Sequence, residues 1–148
     1  MPEVRLDDLP PISDDRSAPA PTAAVRLLAG PAVLAVSDVD RARRYYTEVL
    51  GFVSEPSGEL MRDGFTFTLH QVARPADVRP SSEIAGGPDC DFHAYLASDA
   101  EVDALYREFA ARGAIIAAAP ARVHESWKRF IVQDLDGYKI SFGARVRA

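Results

Sequence analysis

The 148-residue sequence predicts an α+β domain built from two βαβββ modules, and three observations carry that prediction. A short apolar run leads into a helix start twice, at Ser37-Asp38-Val39-Asp40 and at Ser98-Asp99-Ala100-Glu101. Each helix stripe ends on a glycine, Gly51 and Gly113, the residue that enters a left-handed helix end without a Cβ clash. Each half also carries an Asp-Gly pair, Asp63-Gly64 and Asp136-Gly137, ahead of an alternating strand. Such pairs tolerate the positive φ that tight hairpin turns demand.

Residues 1–28 read as a flexible, Pro-rich acidic tail. Pro2, Pro10, Pro11, Pro19 and Pro21 alternate with Asp7, Asp8, Asp14 and Asp15, and beyond Val4, Leu6, Leu9 and Ile12 large apolar residues are few. Such a stretch buries too little to offset its own ordering entropy. Residues 29–148 form the expected single domain, with module one over 31–72, a connection over 73–90 and module two over 91–143.

In module one, Val33-Leu34-Ala35-Val36 suits a buried strand, and Ser37 is placed to cap the helix that follows. Val39, Ala42, Tyr46, Val49 and Leu50 recur at helical spacing. Phe52-Val53 and Leu60-Met61 offer short strands, and Phe65 to Val72 a long alternating one. Pro75, Pro80, Gly86, Gly87 and Pro88 mark the connection as exposed. In module two, Asp91 to Ala97 is strand-like, and Ser98 with Glu101 makes a capping box in which each satisfies the other's backbone N–H. Val102, Leu105, Tyr106 and Phe109 form the helix stripe. Ala114 to Ala118, Lys128 to Gln133 and Tyr138 to Phe142 supply the last three strands. Laid over each other, Ser37 falls on Ser98, Asp38 on Asp99, Asp40 on Glu101, Tyr45 on Tyr106 and Gly51 on Gly113, with one extra helix residue in the second copy. Two unrelated strand–helix pairs sharing common capping chemistry are the alternative.

Composition narrows the function classes. Apolar residues at 47% and charged residues at 26% give an ordinary globular balance. A net charge of −5 gives the whole molecule no attraction to nucleic acid or to an anionic membrane. No apolar run reaches bilayer-spanning length, and the acidic, Pro-broken start does not fit a secretory signal. Cys90 is the only cysteine, which excludes an intrachain disulfide and suits a reducing cytoplasm.

Three segments resemble the vicinal oxygen chelate superfamily of glyoxalases, bleomycin-resistance proteins and extradiol dioxygenases. Pro31 to Phe52, with its strand, aspartate, aromatic pair Tyr45-Tyr46 and closing Leu50-Gly51-Phe52, looks like that family's opening. Asp91-Phe92-His93-Ala94-Tyr95-Leu96 is similar to the start of its second module. Asp134-Leu135-Asp136-Gly137-Tyr138-Lys139-Ile140 resembles its last hairpin, with Leu135 where proline is usual. The resemblance covers about residues 31–143. It implies curved mixed sheets paired into a cup with helices outside, the modules pairing within the chain or by exchange between two chains, and a homodimer. It leaves activity open, since one fold hosts many chemistries.

In metal-dependent members each module supplies two ligands. The resemblance places these positions on Pro31, Thr68, His93 and Ser141. Only His93 is a strong donor, so neither a metal nor a cofactor is expected. A relocated set would combine His70 and His93 with Glu125 or His124. Strand alternation assigns Phe65, Phe67, Leu69, Phe92, Ala94, Leu96, Ile140 and Phe142 to the core. The opposite faces carry Thr66, Thr68 and His70, then His93 and Tyr95, then Lys139 and Ser141; they line a pocket or simply face water. Trp127 offers an indole for stacking on a flat ligand, or plugs the core edge. Ligand-binding candidates are therefore Thr68, His70, His93, Tyr95, Trp127 and Ser141, for a small molecule that is aromatic or, through Glu125, Asp89 and Asp91, cationic.

Three functions follow. The first is a metal-free binding protein, such as one sequestering an antibiotic in the bleomycin-resistance manner. The second is a metal-dependent lyase, isomerase or dioxygenase. The third is metal-free acid–base catalysis, with His93 as base and Tyr95 or Lys139 holding an oxyanion.

Overall fold

The computed structural model describes residues 5–11, 20 and 23–147. Much of the predicted tail, Val4 and Ile12 included, lies outside the described residues. Leu27 and Leu28 are almost fully exposed, and packing against the core begins at Ala32.

Module one contains β1 (Ala32–Val36), α1 (Val39–Arg44), β2 (Val53–Ser54), β3 (Leu60–Arg62) and β4 (Phe65–Gln71). The helix widens at its end into a π-helical turn over Tyr45–Val49. Module two contains β5 (Phe92–Tyr95), α2 (Asp99–Ala111), β6 (Ile115–His124), β7 (Trp127–Gln133) and β8 (Lys139–Arg145). The sheets share one topology: β1-β4-β3-β2 and β5-β8-β7-β6. In both, the first strand runs parallel to the last and the remaining pairs are antiparallel. The repeat predicted from punctuation is therefore a repeat of architecture, two βαβββ modules forming a cup.

Face assignment follows the predicted alternation. Phe67, Ile140 and Phe142 are buried in one continuous core, with Phe65, Leu69, Phe92, Ala94 and Leu96 packed against it. Strand β6 runs well past the predicted Ala118. Its register shifts on either side of Ala118 and again before His124. Such bulges let an edge strand carry Pro120, which has no N–H for a ladder.

The alignment of the two copies differs from the sequence reading by one residue. Setting Gly64 on Gly137 puts Thr68 on Ser141, and the ladder partners Val33↔Thr68 and His93↔Ser141 then put Val33 on His93. Along that register Asp38, not Ser37, matches Ser98, and both are N-caps. Asp38 Oδ1 accepts from the Arg41 N–H at 3.1 Å, and Ser98 Oγ from the Glu101 N–H at 3.3 Å. A carboxylate both caps the free N–H groups and complements the positive helix end, which frees Ser37 for another role. The predicted capping box is also displaced: the Glu101 carboxylate accepts from the Ala97 N–H at 2.8 Å rather than from Ser98.

Ser37 joins the modules. Its N–H and Oγ both donate to Asp136 Oδ1, at 3.0 and 2.6 Å. Tyr45 Oη donates to the Gln133 carbonyl at 2.7 Å and accepts from the Ile115 N–H at 3.0 Å. Tyr138 Oη donates to the Ala35 carbonyl at 2.8 Å. Buried Tyr46 donates to Asp134 Oδ2 at 2.7 Å, and Asp134 Oδ1 accepts from the Asp136 and Tyr138 N–H groups at 2.9 Å each. Burial pushes the Asp134 carboxyl up to about 6, against the pull of those hydrogen bonds. Phe67 meets Phe92 edge-on at 5.1 Å, so the core is continuous across the seam.

Candidate functional site

Alternation along β5 sends His93 and Tyr95 to the face away from α2. Strand β8 lies between β5 and β7, and its Gly143 pairs with Tyr95 on one side and Arg129 on the other. Trp127, the first residue of β7, lays its indole over that glycine. A Cβ at position 143 would sit 2.7 Å from the indole ring, so only glycine admits this pose. The indole then meets Tyr95 edge-on, with centroids 5.4 Å apart and planes at 89°. Tyr95 lies 6.3 Å from His93 with the rings 27° from parallel. Tyr95 is 74% exposed, an unusual state for a large aromatic residue with two aromatic neighbours.

These three side chains line a recess of about 600 Å³ together with Leu96, Ala97, His124 and Arg145. Among its lining residues there is no carboxylate. The acids expected to attract a cation are committed elsewhere. Asp89 pairs with Arg129, whose hydrogen bonds hold its carboxyl below the usual range. Asp91 accepts from the Ser82 N–H at 2.9 Å, the Ser82 hydroxyl at 2.5 Å and the Lys139 N–H at 2.8 Å. Glu125 is exposed and not part of the lining.

The six predicted ligand-binding residues are thus not one group. His93, Tyr95 and Trp127 come together. Thr68 and His70 stand on the other sheet, Thr68 beside Val33 and His70 beside Ala35, and neither lines this recess. Ser141 is 1% exposed. Asp89 reaches Arg129 on β7 and Cys90 Sγ lies 3.6 Å from His93 Nε2 on β5, so the end of the connection crosses β8 above Ser141. That connection is exposed along most of its length, as expected, but Pro80 and Cys90 are buried. The Ser141 hydroxyl has no hydrogen-bond partner among the described residues, a cost of about 1–3 kcal/mol for a buried polar group. Gly143 and Arg145 were not foreseen. A glycine inside an alternating strand is the signal for Gly143; Arg145 carried none.

The donor set does not fit a divalent cation. By strand register the counterpart of Pro31 is Asp91, not His93, and the Asp91 carboxylate is already fully engaged. Thr68 and Ser141 offer neutral hydroxyls, poor replacements for carboxylates. Among the described residues no three His, Cys, Asp or Glu side chains stand close enough to share an ion. In the relocated set, His70 and His93 lie on different sheets, and His124 Nδ1 accepts from the Ser126 N–H at 3.2 Å. Cys90 is no better placed as a nucleophile, because burial raises its thiol above the ordinary value and favours the neutral form.

The fold and this paired-module site define the glyoxalase/bleomycin resistance protein/dioxygenase superfamily, and its family model matches residues 28–142. The chain belongs to that superfamily. Solved structures agree at the level of fold. A glyoxalase/bleomycin resistance protein/dioxygenase from Nocardioides superposes with a TM-score of 0.62 at 19% identity, covering 84% of this chain and 87% of that one. One from Alicyclobacillus acidocaldarius gives 0.59 at 19%, covering 76% and 87%. TioX from Micromonospora sp. ML1 gives 0.55 at 23%, covering 82% and 98%. No match was found among curated protein sequences.

Proposed function

We propose that this chain is a metal-free small-molecule-binding protein that holds a flat aromatic ligand against Trp127 and Tyr95, as an antibiotic-sequestering protein of the bleomycin-resistance type would. The observation that carries the reading is the His93–Tyr95–Trp127 group, open to solvent on a strand face. Aromatic faces set at right angles give a flat guest one surface to stack on and one edge to abut. Of the two ligand chemistries expected, aromatic and cationic, the lining favours the first. Arg145 brings positive charge, it forms no ion pair among the described residues, and no carboxylate faces the recess. An aromatic acid is the best-matched guest.

Acid–base catalysis through His93 has less support. The groups around the imidazole are the Cys90 thiol and the Tyr95 ring, and neither is a carboxylate that would orient it.

The reading includes a homodimer in a reducing compartment such as the cytoplasm. Val33 and Val53 are 69% and 61% exposed, and a second copy would cover them. Among the described residues, no helix is long and apolar enough to cross a membrane.

The test is titration with naphthalene-2-carboxylate, read by Trp127 fluorescence and by calorimetry. Saturable quenching is expected, with affinity falling about tenfold in Tyr95→Ala and in Trp127→Ala, the loss of one stacking surface. An absence of saturable binding for this acid would overturn the reading, whatever naphthalene does.

A further inference from the structure

A second cavity, of about 340 Å³, lies on the helix side of β5, where the β3–β4 turn of module one approaches module two. Phe52 and Phe65 wall it from module one, and Leu105, Phe109 and Phe142 from module two. Asp63, Gly64 and Tyr95 are exposed and rim its mouth. It shares His93, Tyr95 and Leu96 with the recess over Trp127, but its inner walls, Phe52, Phe65, Leu105, Phe109 and Phe142, line this cavity and not that recess.

The repeat explains why the cavity exists. The modules meet at two pseudo-equivalent junctions. At one, Ser37, Tyr45 and Tyr138 close the gap with hydroxyl hydrogen bonds. Their counterparts at the other, taken along the structural register, are Ala97, Leu105 and Phe65. None of the three carries a hydroxyl, and among the described residues no equivalent hydrogen bond forms. The second junction is left apolar and unfilled.

Its inner walls are apolar, and the Asp63 carboxylate stands exposed at the mouth. Arg62 is the one cation in the lining, and it is paired with Glu108 at 2.6 and 3.2 Å, donates to the Leu50 carbonyl at 2.9 Å and lies over the Phe109 ring at 5.5 Å. Phe109 meets Phe142 at 5.2 Å and 69°, and Phe52 meets Phe65 at 6.3 Å and 61°, so ring faces and edges both line the space. An apolar cavity of about 150 Å³ stays dry and takes a benzene ring. A space a little over twice that size holds about two fused rings, and small-ligand pockets begin near ~300 Å³.

We propose that this inter-module cavity is a second binding site, selective for an uncharged two-ring aromatic molecule. The guest fills the volume that the hydroxyl network occupies at the sister junction.

The experiment uses the full chain and 5-fluoroindole, followed by ¹⁹F NMR and calorimetry. Saturable binding is expected, weakened about tenfold or more by Leu105→Trp, which fills the cavity, and by Ala94→Leu, which narrows it. Thermal unfolding identifies whichever variant remains folded, and either suffices. Trp127→Ala should bind within about twofold of the parent. No saturable binding, or a loss in Trp127→Ala with none in the folded cavity variant, would overturn the proposal. The first result leaves the reading of the Trp127 recess standing, because that reading depends on the aromatic acid.

Discussion

The two junctions between the modules are built from the same repeat and are held in opposite ways. One is closed by Ser37, Tyr45, Tyr46 and Tyr138, which reach Asp136, the Gln133 carbonyl, Asp134 and the Ala35 carbonyl. The other is closed by the Arg62–Glu108 pair at its margin and by ring edges around a cavity. Directional bonds at the first junction fix the modules relative to each other. The apolar contacts at the second tolerate a void, because among the described residues no buried polar side chain of its lining is left without a partner. A duplicated unit can thus keep one seam for rigidity and leave the other for a guest.

The largest test of this contrast removes the centre of the polar seam. Asp134→Ala strips the acceptor from Tyr46 and from two backbone N–H groups. Chemical denaturation should show a loss of about 2–4 kcal/mol; a loss below ~1 kcal/mol would mean the seam is not held there.

Next comes pH. The folded Asp134 carboxyl sits at about 6, above the ordinary 3.8, so between those values the folded state holds more protons than the unfolded one. Its contribution therefore worsens as pH rises through about 4 to 6 and improves as pH falls. Relative to Asp134→Asn, the parent should gain on the order of 2–3 kcal/mol between pH 7 and pH 4. A difference between the two proteins that stays flat with pH would refute the buried-carboxyl account. Carboxylates held low, such as Glu108 beside Arg62, act in the opposite direction but equally in both proteins.

Gly143→Ala comes third. A methyl group there meets the indole at 2.7 Å, so Trp127 must lift from the sheet. A cost of about 1–2 kcal/mol and a shifted Trp emission maximum should accompany weaker naphthalene-2-carboxylate binding. Unchanged emission would show that the indole does not rest on that glycine.

The smallest effect sharpens the comparison directly. Ser37→Ala should cost about 1 kcal/mol, the net worth of a side-chain hydrogen bond. The matching change at the open junction, Ala97→Ser, should shift stability by less than ~0.5 kcal/mol. Equal effects would erase the asymmetry.

The helices, their glycine stops, the Asp-Gly hairpins and the alternation that buries Phe67, Ile140 and Phe142 could all be read along the chain. Each depends on the residue itself and neighbours within a turn or two, so local chemistry suffices. The N-cap was misplaced by one because Ser37 and Asp38 both cap well, and a partner 99 residues away at Asp136 takes the serine. His93 and Tyr95 were legible as neighbours on one strand face and Trp127 as a stacking candidate, but that the three meet was not. That Ser141 is covered while Thr68 and His70 stand apart was not legible, because it depends on where the 73–90 connection folds back and how the two sheets lie.

By itself the sequence determined the duplicated module, the core faces and the poverty of strong metal donors at the family's ligand positions, since period, capping chemistry and donor type are properties of residues in order. Only the tertiary structure decided which candidates share a recess, that Gly143 lets Trp127 lie flat, and that one module junction is bonded while the other is hollow. Those outcomes depend on distances between segments distant in sequence, which no local pattern encodes.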